Sequence, residues 1–361
     1  MRPPIHRGLA ILATLLLVAC TNGPGVPTPS AGATTSAPGP STTTVAGSPG
    51  PTASPSGPPV PLVVGLGYIP SVQFAQFYYA QEQGYYRAAG LDVTFQNKND
   101  PDLVTLVGQG SIDVGVADGT SVIPAVSQGI PVTYVATLYG LFPNVVFAKA
   151  SANIATVADL KGRKVGTPGR YGSSWIMLEA LLASAQMTPS DVQVVLYPDY
   201  GQAVAVQQGA VDAATGFTNN EPVQLQLDGI PTSELHVDQA TPLPGPGLIV
   251  GTSTLAQKHD ALKAFVAATL RAMNAVMADP QAGLTASIAA QPTLAGSAPT
   301  QLAILQATIA TWQSPYTQAH GLGAIDRDAW SRSIAFMQTL PEKPVAGPVT
   351  VDQVVNEDLL P

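Results

Sequence analysis

Cysteine is almost missing from the 361-residue chain: there is one, Cys20. A lone thiol excludes a disulfide framework, a zinc ribbon and an iron–sulfur cluster. Histidine is nearly as scarce, and His6, His236, His259 and His320 lie too far apart in sequence to suggest a His-rich metal site. Charge is thin at 11% of residues, and the cations are the minority, 15 against 23 carboxylates. A chain so poor in Lys and Arg lacks the basic face that phosphate backbones require, which removes nucleic acid as a partner. The apolar run at the start, Gly8 to Val18, has 11 residues, roughly half of the 20 or so that a spanning helix needs. Aromatics are also few, 22 in all, so where they gather matters.

Arg2 and Arg7 precede the Gly8 to Val18 run, which ends in Leu17-Val18-Ala19-Cys20. That is the layout of an export signal rather than a membrane anchor. The last four residues resemble the bacterial lipobox, in which cleavage exposes the Cys for acylation, so residues 1–20 are expected to be a lipoprotein signal and Cys20 the lipidation site. Residues 21–59 follow with 10 Pro, 7 Gly, 6 Ser and 8 Thr and no charge. Such a segment cannot bury enough apolar surface to offset its chain entropy, and is expected to be a disordered tether. Arg2 and Arg7 leave with the signal, so the rest carries 13 cations against 23 anions, a net of −10.

From residue 60 onward strands and helices alternate. Leu62 to Gly67 reads as a buried strand, Val72 to Tyr86 as a helix, Leu91 to Gln96 as a strand, Pro101 to Gln109 as a helix and Asp113 to Ala117 as a short strand. That alternation implies a mostly parallel sheet. It then recurs. Gln109-Gly110-Ser111-Ile112-Asp113 returns as Gln208-Gly209-Ala210-Val211-Asp212, and Val64-Gly65 returns as Val165-Gly166, 101 residues on. Two similar α/β lobes are expected, the first from 60–140 plus 248–361 and the second from 141–247. Their crossings, near Tyr139 to Asn144 and Leu243 to Gly251, are the expected hinge.

Ligands of open α/β sheets sit at the carboxyl ends of the strands, which selects the loops Gly67 to Phe74, Asp118 to Ser121, Pro168 to Trp175 and Phe217 to Glu221. Tyr68, Phe74, Tyr171, Trp175 and Phe217 fall in these loops, with Tyr139 and Phe142 near the crossing; rings in such number suit a flat conjugated ligand. Asp118, Thr120, Ser121, Asn219, Asn220 and Glu221 supply acceptors and donors. The third loop lacks the Gly-Lys-Ser/Thr ending of a phosphate-binding loop, and Gly65-Leu66-Gly67 lacks the third glycine of a dinucleotide fingerprint. No Gly-x-Ser-x-Gly elbow is present. Asp118 with Glu221 leaves an acid/base pair open, although both carboxylates also serve as plain acceptors.

The runs Gly67-Tyr68-Ile69-Pro70, Gln73-Phe74-Ala75-Gln76-Phe77-Tyr78-Tyr79-Ala80, Ala89-Gly90-Leu91-Asp92-Val93, Asp159-Leu160-Lys161-Gly162-Arg163-Lys164-Val165-Gly166 and Gly216-Phe217-Thr218-Asn219-Asn220-Glu221-Pro222 resemble the periplasmic substrate-binding proteins of the SsuA-like superfamily, which also holds thiamine-pyrimidine-precursor binders. The first motif most resembles the riboflavin branch. The resemblance implies a bilobal α/β periplasmic-binding-protein fold of type II, with two mixed, mostly parallel sheets. It implies no catalysis, no cofactor and no metal. It further implies a monomer that delivers its ligand to the permease and ATPase subunits of an ABC importer at the outer face of the cell membrane. Tyr68, Gln73 and Phe74 would meet the ligand from the first lobe, and Tyr171, Trp175, Phe217 and Asn219 from the second. Riboflavin leads, an aminopyrimidine follows, and sulfonate or nitrate fits a cleft poor in cations badly. An enzyme of thiamine-pyrimidine synthesis is the reading from another class; it would need a lysine or histidine in the cleft.

Overall fold

The computed structural model describes residues 57–98, 100–237 and 243–361. The expected signal, Cys20 and nearly all of the tether lie outside the described residues.

Among the described residues ten strands form two five-stranded sheets. The first contains β1 (Val60–Leu66), β2 (Leu91–Asn97), β3 (Val114–Asp118), β4 (Val132–Thr137) and β10 (Pro246–Gly251), in the order β2-β1-β3-β10-β4. The second contains β5 (Asn144–Lys149), β6 (Lys164–Thr167), β7 (Gln193–Leu196), β8 (Ala213–Phe217) and β9 (Thr232–His236), in the order β7-β6-β8-β5-β9. Each sheet has three parallel strands at one side and one antiparallel strand in fourth place. That fourth strand comes from the other half of the repeat: β10 returns to the first sheet after the second is built, and β5 opens the second sheet before its own parallel strands. The chain therefore crosses between lobes twice.

The helices are α1 (Ala75–Glu82), α2 (Tyr85–Ala88), α3 (Asp100–Gly108) and α4 (Gly119–Ser127) in the first half, then α5 (Gly172–Ser184), α6 (Gln202–Gln208) and α7 (Glu221–Leu227) in the second. After β10 come α8 (Thr252–Ala278), α9 (Pro280–Ala290), α10 (Ala298–Trp312), α11 (Pro315–His320), α12 (Arg327–Met337) and α13 (Val351–Val354). The single helix expected over Val72 to Tyr86 is divided into a 3-10 turn at Val72–Phe74, α1 and α2. Gly84 makes the break at φ 69°, a left-handed conformation that glycine takes without steric cost. Helix α8 is long and apolar enough to cross a membrane by length and composition, but half of its most apolar window is buried. Its Phe265 stacks on Tyr86 with ring centroids 5.0 Å apart.

The repeated Asp of the two Gly-x-x-Asp motifs has one physical job in both lobes. The Val63 N–H donates to Asp113 Oδ2 at 2.9 Å, and the Lys164 N–H donates to Asp212 Oδ2 at 2.8 Å. Each carboxylate thus clamps the neighbouring parallel strand. Each also meets a cation: Lys258 Nζ lies 2.8 Å from Asp113, and an Arg163 guanidinium nitrogen 3.6 Å from Asp212. The Gly65-Leu66-Gly67 pair is a packing device. A Cβ at Gly65 would overlap Leu103, and one at Gly67 would overlap the Val116 carbonyl.

Candidate functional site

A cavity of about 890 Å³ of atom-free space, open mouth included, lies where the carboxyl ends of both sheets converge. Nine of the residues expected from sequence line it: Tyr68, Gln73, Phe74, Asp118, Tyr139, Tyr171, Phe217, Asn220 and Glu221.

The first wall is built by the turn after β1. Ser71 Oγ accepts from both the Gln73 N–H at 3.2 Å and Gln73 Nε2 at 3.1 Å, which orients the Gln73 amide. Asn97 Nδ2 donates to the Tyr68 carbonyl at 2.7 Å and pins the loop. Burial pushes the Tyr68 phenol well above its ordinary range and the nearby Glu221 adds to it, while a hydrogen bond with Asn220 offsets part. The phenol therefore stays protonated. Asp118 sits at the end of β3, buried in the wall. Desolvation, then the Asp118 charge, raise the Tyr139 phenol, opposed by hydrogen bonds with Thr308 and Asn219.

The opposite wall comes from the turns after β6, β7 and β8. Glu221 is bound into its own turn: the Phe217 N–H donates to Oε2 at 2.8 Å and Asn220 Nδ2 to Oε1 at 3.2 Å. Burial raises this carboxyl despite those donors. Gly216 makes the fold-back of Glu221 possible, since a Cβ there would come within 2.7 Å of Glu221 Oε2. These bonds make Glu221 a turn-stabilising acceptor. Tyr171 stays 45% exposed at the rim.

The lobes touch across the cavity. Asn219 Nδ2 donates to Gln73 Oε1 at 3.0 Å and to Thr308 Oγ1 at 2.8 Å. Tyr68 and Tyr200 meet edge to face at 4.8 Å. Asn219 therefore stands behind the wall as a bridge between lobes, not among the lining residues.

Trp175, Thr120, Ser121 and Phe142 lie outside the lining. Helix α5 starts at Gly172 and turns about 100° per residue, so Ser173 and Ser174 face the cavity and Trp175 faces away. Trp175 packs in the core, its Nε1–H donates to Glu342 Oε2 at 3.1 Å, and the Arg170 guanidinium lies 4.9 Å from its ring centre. Thr120 is fully buried in the first turn of α4, outside the wall. Conversely, Tyr200 and Gln202 line the cavity and were not selected. They follow β7, the fifth carboxyl-end loop. The parallel pairing of β7 with β6 makes this loop another carboxyl-end loop of the second sheet.

Residues 71–283 match the family model described as NMT1/THI5 like. The chain is 34% identical over 357 residues to a riboflavin-binding protein of Chloroflexus aurantiacus, covering 98% of this chain and 97% of that protein. It is 28% identical over 231 residues to a 4-amino-5-hydroxymethyl-2-methylpyrimidine phosphate synthase of Saccharomyces cerevisiae, covering 60% of this chain and 66% of the synthase. Among solved structures, an alkanesulfonate-binding protein of Xanthomonas axonopodis pv. citri superposes with a TM-score of 0.66 at 17% identity, covering 84% of this chain and 100% of the other. The bilobal arrangement is the periplasmic-binding-protein fold.

Proposed function

Because this chain belongs to the NMT1/THI5-like family, we propose that it is an extracytoplasmic solute-binding lipoprotein that encloses riboflavin between its lobes and hands it to an ABC importer. One observation carries the choice of ligand. Six aromatic rings line the cavity (Tyr68, Phe74, Tyr139, Tyr171, Tyr200 and Phe217), and the charged side chains in its wall are the carboxylates Asp118 and Glu221. Rings hold a flat conjugated ligand by offset stacking. A wall with no cation among the described residues leaves a sulfonate or nitrate unpaired, and burial of such an anion requires paired positive charge. Full-length similarity to a riboflavin-binding protein supports the same ligand.

An aminopyrimidine is the second reading, favoured by similarity to pyrimidine phosphate synthases. Synthesis itself has less support, since neither lysine nor histidine stands in the cavity wall among the described residues. Export and acylation at Cys20 would hold the body at the outer membrane face, with the segment 21–59 as its tether. Closure would turn about the crossings at Tyr139 to Asn144 and Leu243 to Gly251, as in periplasmic binding proteins.

A thermal-shift panel of riboflavin, 4-amino-5-hydroxymethyl-2-methylpyrimidine and taurine tests the ligand. A ligand that binds only the folded state raises the melting temperature by mass action. Riboflavin is expected to raise it and taurine to leave it unchanged; a shift with taurine alone overturns the reading. For the anchor, Cys20→Ala is expected to release the protein from the membrane fraction.

A further inference from the structure

The two glutamines of the cavity wall are in opposite states. Gln73 has its amide engaged at both ends, Nε2 to Ser71 and Oε1 from Asn219. Gln202 is 2% exposed, and its Oε1 is sealed from solvent without a hydrogen bond among the described residues. Buried polar groups in folded proteins are nearly always paired, so an orphan in a cavity wall marks a place for an incoming partner.

The backbone holds this side chain at the seam between the lobes. Gln202 is the first residue of α6, directly after Tyr200 and Gly201. Tyr200 sits at φ 60°, a left-handed conformation that costs energy outside glycine, and its ring is braced edge to face on Tyr68. The Gly201 N–H donates to Asp199 Oδ1 at 3.3 Å and closes the turn. Nearby chemistry has the same polarity. Ser174, also in the wall, donates its proton to Asn144 Oδ1 at 3.2 Å, which leaves the Ser174 oxygen to act toward the cavity as an acceptor.

We propose that Gln202 is the specificity-determining residue for the ring edge of the ligand, its Oε1 accepting a hydrogen bond from a ring N–H, with Ser174 as a second acceptor. The ligand class is a neutral flat heterocycle carrying an N–H donor, of which the riboflavin imide is one. This rests on the riboflavin reading for its probe. A site that is built to accept from an N–H discriminates against an analogue lacking it, because the acceptor is then buried unpaired.

The test is a fluorescence titration of the full-length exported protein and of Gln202→Met with riboflavin and with N3-methylriboflavin. Wild type is expected to prefer riboflavin by roughly tenfold, the scale of one neutral hydrogen bond. Gln202→Met is expected to bind riboflavin about tenfold more weakly and to lose that preference. A merely structural role would weaken both ligands equally and keep the preference, which overturns the assignment. Gln202→Glu, which keeps an acceptor, is expected to retain the preference and serves if the Met variant does not fold. Wild type binding both flavins equally overturns the role of Gln202 while the riboflavin reading stands. Wild type binding neither flavin removes the reading and the assignment together.

Discussion

The two lobes follow one plan of strand order and one aspartate clamp, yet they shield that clamp differently. In the first lobe the Lys258–Asp113 pair is mostly covered, with side-chain exposures of 31% and 13%, and Lys258 also donates to the Pro61 carbonyl at 3.1 Å. In the second lobe the Arg163–Asp212 pair stands in water at 41% and 38%. The same motif is therefore a partly buried ion pair in one lobe and a surface one in the other. Exposed pairs contribute little, whereas removing one partner of a covered pair strands the other. The lobes also bring different chemistry to the cavity: the first supplies a glutamine with its amide engaged at both ends, and the second a buried glutamine oxygen with no partner among the described residues.

Paired substitutions break this comparison most directly. Asp113→Ala is expected to cost about 3 kcal/mol, because it removes the acceptor of the Val63 N–H and the partner of Lys258. Asp212→Ala is expected to cost about 1 kcal/mol. Urea unfolding of both measures the gap, and equal losses would mean that shielding of the clamp does not matter.

A buried carboxylate sets the second lobe apart by pH. Glu179, 1% exposed on α5, has its carboxyl pushed up to about 7, mainly by burial and next by the charge of Glu342. The native state thus holds a proton that the unfolded chain releases near 4.5. Its contribution is complete below the unfolded value and is lost as pH rises through about 7. Glu179→Gln is expected to be more stable than wild type at pH 8 by about 2 kcal/mol, with the gap closing toward pH 5. Melting curves across that range test it; a constant difference contradicts the assignment.

Asn219→Ala separates the lobes without touching either clamp. It removes the bonds to Gln73, Thr308 and Tyr139 of the first lobe, and is expected to shift the closed form by about 1–2 kcal/mol. Small-angle scattering would show a larger radius of gyration with an unchanged fold. The smallest effect on stability belongs to Phe217→Ala, whose half-buried ring lines the cavity. Riboflavin affinity is expected to fall about tenfold with little loss of melting temperature; a large drop without ligand would show that the ring is core.

Much of this architecture was legible. The offset of 101 residues between Val64-Gly65 and Val165-Gly166 marked two lobes, and the recurring Asp113 and Asp212 proved to be equivalent clamps. Nine of the chosen residues reach the cavity because they follow directly from strand ends, where chain direction alone decides position. Trp175 did not, because helical rotation after Gly172 turns it from the wall one residue past Ser174. Thr120 was lost the same way in the first turn of α4. Gln202 was hidden because its loop holds no signature; what sets it apart is an Oε1 with no hydrogen bond among the described residues, which only packing reveals. The partner of Trp175, Glu342, lies 167 positions away, and no local pattern connects them.

The central claim is a cavity that selects a flat, uncharged, ring-bearing ligand, and titrating riboflavin fluorescence with the purified protein tests it most directly. The account predicts saturable quenching at one flavin per chain, unaffected by excess taurine. Fluorescence that stays unquenched up to high micromolar protein, or quenching abolished by taurine, would contradict it.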